Sequence, residues 1–404
     1  MQIDKKKKLK VLLYGDYHAD CSGYGKILKE LIPVFTKEGH DVRQVALRYN
    51  GLYQHKYKET IKIYPTQIRG TGSYWASEVL DYAINEFEPD IVFSIQDYFV
   101  IPFLSQVITK PRKHPLKWVH YGTLDGKPLP PEVIYANGWI NYHICMSKYA
   151  HSEIYKLLPK SSSEVIYPPT NPEIFKQFPD KKNIRKKLKV DNTFNVLFIG
   201  RNQFRKNLPA LMEAVKKLVP RIPNIRLLHH STGTLTPDGD NAGIDIASIS
   251  KFLNISDFIA HVKTGKIDVL SEEMIAQLYN ISDVLVLPSY GEGFGLPLIE
   301  AMACGLPTIG TDCSSISEVI GDRGILVPSC AHIYMDGKIQ HSCIDVDKLA
   351  DAIYKMYSDK KLRDECSYKG LEFVKNLTPV KVGKRILDVF QKVIDEDIQS
   401  SALK

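Results

Sequence analysis

Short β-branched runs alternate with amphipathic stretches along nearly the whole chain, and this alternation restricts the fold more than any other feature. KVLLYG (10–15) reads as a buried strand. YGKILKELIPVFTKEGH (24–40) follows, with apolar residues at helical spacing and Gly39 as its stop. DVRQVAL (41–47), DIVFSI (90–95), LKWVH (116–120) and NYHICMS (141–147) read as further strands. Strand–helix–strand repetition predicts a parallel sheet covered by helices on both faces. The rhythm breaks at 158–192, where prolines, serines and the lysine-rich KKNIRKKLK (181–189) predict a linker with one basic surface helix. It then restarts. FNVLFIG (194–200), IRLLHH (225–230), DFIAHV (257–262), DVLVLP (283–288), PTIGT (307–311) and GILVP (324–328) read as six more strands. The chain is therefore expected to be α/β, with two Rossmann-like halves. LTPVKVGKRILDVFQKVIDE (377–396) reads as a long final helix, with Thr378 as N-cap and Pro379 at its first position.

A length of 404 residues suits two or three domains. With 44% hydrophobic and 25% charged residues, the chain can bury two cores. The net charge of +7 is basic, but it is not the profile of a dedicated nucleic-acid binder. Lysines cluster at Lys5–Lys8 and at 181–189, which reads as solvated faces or as contact with a polyanion or an acidic membrane surface. The seven cysteines are scattered and include no CxxC pair, against both a disulfide framework and structural zinc. That usage suggests a reducing compartment, hence a cytoplasmic location. VLLY is too short for a signal segment, and no run approaches the ~20 apolar residues of a membrane span.

Ligands of such sheets bind beyond the C-terminal ends of the strands, so the residues after each strand matter most. After the first comes GDYHADCSGYGK, with Gly23 and Gly25 ahead of a helix. These suit close backbone approach to an anion at a helix start, or simply a tight turn. They complete neither a dinucleotide fingerprint, because Leu28 holds the third position, nor a P-loop. After LKWV comes HYGTLDGKPLP, where His120 is either structural or functional and Asp125 is a turn residue or more. After NVLFIG, Arg201, Arg205 and Lys206 crowd one loop before a helix, which favours a phosphate group.

After VLVLPS comes GEGFGLPLIEAMACG (291–305), with Glu292 between two glycines and Glu300 in a helix-like run. Pro297 fits the first turn of that helix, so the amides of Phe294, Gly295 and Leu296 are expected to face a ligand. A hydrolase needs two carboxyls flanking a bond across a cleft, whereas these two approach from one side. A metal site would want more carboxylate or histidine ligands, and Ser289 and Tyr290 are poor ones. DGDNAG (238–243) begins like a calcium loop but carries Ala242 and Ile249 at ligand positions. A sugar cradle fits best: carboxylates accept from vicinal hydroxyls while helix-start amides bind the phosphate of the same ligand.

The GR····KN of 200–207 and the EGFGLPxxEAMAxGxP of 292–307 resemble the retaining GT-B glycosyltransferases of the GT4 type (glycosyltransferase group 1). SGYGK, His120 and MSKYAHSEI carry the resemblance more loosely into the first half. The resemblance implies an N-terminal acceptor domain (1–170), a linker (171–192) and a nucleotide-sugar domain (193–375) across an interdomain cleft. It also implies a C-terminal helix (376–404) that crosses back onto the first domain. Arg201 and Lys206 would neutralise the donor diphosphate, Glu292 would hold sugar hydroxyls, Glu300 the nucleotide ribose, and His120 would lie at the C6 side of the sugar. The implied reaction is retaining transfer from a UDP- or GDP-sugar to an acceptor hydroxyl, with no cofactor and no metal. A leaving phosphate oxygen would take the acceptor proton. The readings kept beside it are a nucleotide-sugar epimerase of the same architecture and a non-catalytic nucleotide-sugar binder. The acceptor stays open among glycan, lipid, small metabolite, protein and modified nucleic-acid base, and peripheral membrane contact is allowed. The chain departs from the family at PPTNPEIF, where Asn171 stands in place of the usual acid, and at the polar 236–246 stretch.

Overall fold

The computed structural model describes residues 7–20, 22–52, 61–67, 75–232, 243–262, 270–335 and 339–402. Lys5, Lys6 and most of the 236–246 stretch, including residues 238–242 of DGDNAG, lie outside the described residues. The chain divides into two units. The first is Met1–Leu124, Leu129–Pro169 and Leu377–Lys404; the second is Asp125–Pro128 and Thr170–Asn376.

The first unit is built on seven strands: β1 (Lys10–Asp16), β2 (Asp41–Leu47), β3 (Lys62–Pro65), β4 (Ile91–Asp97), β5 (Lys117–Thr123), β6 (Tyr142–Cys145) and β7 (Ser163–Val165). They pair in the order β3-β2-β1-β4-β5-β6-β7, and every pair is parallel. Strands of such a sheet are covered on both faces, which is why they read as continuous apolar runs. On one face Leu12, Tyr14 and Val92 pack with Leu80, Ile84 and Phe87 of the Ser77–Phe87 helix. On the other, Phe93 lies 6.2 Å from Phe35 and 5.2 Å from Phe390, ring centre to ring centre. Phe35 belongs to the Gly23–Lys37 helix and Phe390 to the final helix, Pro379–Ala402. The final helix therefore returns to the first unit, and Arg385 donates to Glu164 (3.1 Å) and to the Val165 carbonyl (2.9 Å).

The second unit carries β8 (Phe194–Arg201), β9 (Ile225–Thr232), β10 (Ile259–His261), β11 (Val284–Leu287), β12 (Thr308–Thr311) and β13 (Gly324–Val327), in the order β10-β9-β8-β11-β12-β13 and again all parallel. Its core joins Val196, Phe198 and Val286 to Leu211 and Val215 of the Leu208–Leu218 helix and to Leu349 and Ile353 of the Val346–Ser358 helix. An antiparallel hairpin, β14 (Ser329–Met335) and β15 (Ile339–Ile344), follows β13.

All eleven strands expected from periodicity are present, and this is the α/β architecture the alternation implies. Among the described residues there are four further strands that the periodicity does not predict. β3 and β7 are short edge strands of four and three residues, and β14–β15 is a hairpin outside the parallel rhythm. The 171–192 segment is part of the second unit. Its Lys181–Lys187 helix is anchored by Arg185, which donates to the Ile281 and Thr193 carbonyls and pairs with Asp283 at 3.0 Å.

Candidate active site

In both sheets the strand order reverses beside the first strand of its unit, between β1 and β4 and between β8 and β11. The loops at such a reversal diverge and leave a crevice for ligand. In the second unit those loops are the ones that carry Arg201–Lys206 and Glu292. They are stitched together by backbone: Tyr290 N–H donates to the Arg205 carbonyl at 3.0 Å. Asn207, in the left-handed region at φ 51°, donates its side-chain amide to the Pro288 carbonyl at 3.3 Å.

Glu292 is buried, with 5% of its surface exposed. Its Oε1 accepts from Lys206 Nζ and from Ser289 Oγ, both at 2.6 Å. Its Oε2 lies 3.4 Å from Arg205 Nη1. Its backbone is held too: the N–H donates to Ser314 Oγ at 2.9 Å, and the carbonyl accepts from Ser315 Oγ at 2.7 Å. Burial alone would raise the carboxyl pKa. The charges of Lys206 and Arg205, with the Lys206 and Ser289 hydrogen bonds, outweigh it and hold the group at about 2. Burial lowers the Lys206 pKa, and Glu292 opposes that shift. At neutral pH the pair is ionic.

The Leu296–Ala303 helix starts one turn later. Its N-cap is Gly295 at φ 92° and ψ 58°, a conformation that a side chain would strain. Pro297 sits in the first turn. Among the described residues, the Gly295 and Leu296 amides donate to no backbone carbonyl, as expected of the first N–H groups of a helix. Phe294 is buried beside them. Glu300 is buried inside the helix and accepts from the Tyr279 hydroxyl at 2.8 Å. Arg201 ends β8, is exposed, and forms no ion pair among the described residues.

The second unit thus brings Glu292, Lys206, Phe294, Gly295, Leu296 and Glu300 into one pair of loops and one helix start. Ser289, Arg205, Ser314, Ser315 and Tyr279 also belong to the arrangement as partners of the two acids, although sequence reasoning assigned them no such part. Ser289 stands three residues before Glu292 at a strand end, a spacing that could have suggested it. Ser314 and Ser315 carry no local signal.

His120 does not stand where a strand runs into a loop. It lies inside β5, which continues to Thr123, and is fully buried. Its Nδ1 is 2.8 Å from Ser94 Oγ, which also accepts from Trp118 Nε1 at 2.8 Å. Among the described residues its Nε2 has no hydrogen-bond partner. Burial, with His143 adding to it, pushes the imidazole well below its ordinary pKa, so the ring is neutral. Gly23 and Gly25 form the first turn of the Gly23–Lys37 helix, where the Gly25 N–H donates to the N-cap Ser22 Oγ at 3.0 Å. At the strand ends of this unit stand Asp16, His18 and Asp97, with Gln44 inside β2. Both Asp16 oxygens lie 3.1 Å from Arg48 Nη2, the His18 ring is 2.7 Å from Gln44 Oε1, and Asp97 accepts from the Tyr24 hydroxyl at 2.6 Å. Tyr49 stacks on Tyr17 with ring centres 4.1 Å apart. Asp125 belongs to the second unit.

Residues 193–359 match the family model described as glycosyl transferases group 1. D-inositol 3-phosphate glycosyltransferase of Paenarthrobacter aurescens (strain TC1) is 33% identical over 181 residues, covering 43% of this chain and 38% of that protein. Phosphatidyl-myo-inositol mannosyltransferase of Mycolicibacterium smegmatis is 30% identical over 202 residues, covering 49% and 45%. The chain spans less than half the length of these curated relatives. Among solved structures, sucrose-phosphate synthase from Thermosynechococcus elongatus superposes with a TM-score of 0.77 at 18% identity over 96% of this chain and 100% of that one. Anabaena HepE in complex with UDP gives 0.69 at 14% over 95% and 100%. The fold is that of the GT-B glycosyltransferases.

Proposed function

We propose, from the match of residues 193–359 to the family model described as glycosyl transferases group 1, that the chain transfers a sugar from a nucleoside diphosphate sugar to an acceptor hydroxyl, with retention and without a divalent metal. The observation that carries this reading is the buried, ionised Glu292, held by Lys206 one turn before a helix start where, among the described residues, the Gly295 and Leu296 amides donate to no backbone carbonyl. In the reading Glu292 accepts from sugar hydroxyls. Arg201, Lys206 and the Phe294–Leu296 amides meet the charge that grows on the leaving diphosphate. One preorganised donor of this kind contributes roughly 3–4 kcal/mol to the transition state. Glu300, oriented by Tyr279, accepts from the nucleotide ribose. With the diphosphate met by side chains and amides, a leaving phosphate oxygen takes the acceptor proton. His120, whose Nε2 has no hydrogen-bond partner among the described residues, lies in this reading at the C6 side of the sugar, and His120→Gln should lower turnover without changing nucleoside diphosphate affinity.

UDP and GDP are the proposed donor bases, UDP first because HepE was solved with it. For the acceptor, the matched relatives are named for D-inositol 3-phosphate and phosphatidyl-myo-inositol. A polyhydroxylated acceptor also suits the carboxylate groups at the strand ends of the first unit. The test is nucleotide release from UDP-, GDP- and ADP-sugars, with mass spectrometry of acceptors from cell extract. Release that depends on acceptor and on Glu292 supports the reading. A new sugar nucleotide formed from donor alone would identify an epimerase, and binding without turnover on any donor would identify a binder.

A further inference from the structure

Residues 125–128 run alongside β15 as a short strap: Gln340 N–H donates to the Lys127 carbonyl at 2.8 Å, and Lys127 N–H returns the bond at 3.4 Å. Two glycines permit the approach. A Cβ on Gly126 would stand 2.8 Å from the Gln340 carbonyl oxygen, and one on Gly291 would stand 2.1 Å from the Asp125 carbonyl oxygen. Ser342 N–H also reaches the Tyr290 carbonyl at 2.9 Å. Strap, hairpin and the Glu292 turn are thus one backbone-bonded body.

Its side chains form a line. Asp125 Oδ2 lies 3.4 Å from Arg205 Nε, and Arg205 Nη1 lies 3.4 Å from Glu292 Oε2 while also donating to the Gly291 carbonyl. Behind Asp125 stands the buried His341, with Nε2 at 3.9 Å from Asp125 Oδ1 and neither ring nitrogen hydrogen-bonded among the described residues. Burial lowers the His341 pKa against the pull of Asp125, so at neutral pH Arg205 is the cation that Asp125 holds. Glu292 Oε1 is saturated by two short bonds, whereas among the described residues Oε2 has only the long approach of Arg205. A guanidinium freed from Asp125 would close on Glu292 as a fork and occupy Oε2.

We propose that Asp125 is a positioning residue for the transferred sugar: braced by the β14–β15 hairpin, it draws Arg205 back and leaves Glu292 Oε2 open to a sugar hydroxyl. This rests on the reading that Glu292 holds the sugar. The experiment compares binding of UDP and UDP-glucose, and of GDP and GDP-mannose, by calorimetry on the full chain. Loss of one charged hydrogen bond corresponds to about tenfold or more in affinity. Asp125→Asn should therefore cost about that factor for the sugar nucleotide while changing the bare diphosphate by less than about twofold. Asp125→Glu should restore most of the loss. In an Arg205→Gln background Asp125→Asn should have no further effect, because the competitor is gone. Equal weakening of diphosphate and sugar nucleotide, no change in either, or an additive loss in the Arg205→Gln background would each overturn the proposal. Glu292→Gln separates the two levels. If it leaves the preference for sugar nucleotide over diphosphate intact, the parent reading fails; if it removes that preference and Asp125→Asn does not reduce it, only the positioning role fails.

Discussion

Two buried titratable groups, one in each unit, meet desolvation in opposite ways. Glu292 has two cations and a hydroxyl on its carboxylate and stays charged at about 2. His120 has Ser94, Trp118 and the Tyr98 ring around it, and burial drives it neutral. His143, nearby in the same unit, is held at about 4 for the same reason. Burial penalises charge everywhere, so a buried ion marks a place where the fold has gathered counter-charge. The second unit has done so at one turn. Among the described residues the first unit has one buried carboxylate, Asp16, at a strand end against Arg48, and its interior histidines His120 and His143 are uncharged.

Breaking the charged side should have the largest effect. Glu292→Gln leaves Lys206 buried without its partner, a change that typically costs about 3–5 kcal/mol of stability. Turnover should also fall by roughly two to three orders of magnitude, as for loss of a group aligned with the transition state. Denaturant midpoints together with donor turnover check this, and a variant as stable and as active as the parent would erase the contrast drawn above.

The neutral side can be broken with acid. His143 in the first unit and His229, buried in β9 of the second, are held at about 4, against about 6.5 in an unfolded chain. Between those values the unfolded chain binds more protons, so their stabilisation is full above about pH 6.5 and is lost as pH falls towards 4. By pH 5 each should have given up about 2 kcal/mol. Glu292 works in a lower window: its contribution is present above about pH 4.5 and is lost only as pH falls through about 2. Melting midpoints should therefore drop between pH 7 and 5, and His143→Phe should flatten part of that drop. An unchanged slope in His143→Phe would show that His143 is not part of it.

Arg201 offers a smaller, cleaner test, being exposed and outside the buried pair. Arg201→Ala should weaken nucleoside diphosphate binding by about tenfold with stability unchanged within about 0.5 kcal/mol. Equal affinity of the parent for nucleoside monophosphate and diphosphate would count against a diphosphate clamp. The smallest expected effect is none at all: EDTA should leave turnover unchanged. Complete loss restored by Mg²⁺ or Mn²⁺ would mean that a metal, rather than Arg201, Lys206 and the amides, meets the diphosphate.

Much of this was legible residue by residue. The buried strands are continuous apolar runs, and Pro297 and Thr378–Pro379 mark helix starts where helices do start. The β14–β15 hairpin was missed although Asp336-Gly337 lies between its strands, a turn signal of the kind that joins antiparallel pairs. The parallel rhythm on either side masked it.

By itself the sequence determined what is local: periodicity, turn glycines, helix caps and the placing of acids and bases after strands. These depend on residues a few positions apart. Which base meets which acid was decided only by tertiary structure. Lys206 and Glu292 are 86 positions apart, and their bond exists because β8 and β11 are neighbours in the sheet. The same holds for Asp125, whose loop leaves a strand of one unit and is claimed by the hairpin of the other. It holds for His120, whose charge was settled by how deeply β5 is covered. Charge state and pairing are set by desolvation and by distance through space, and neither quantity is written along the chain.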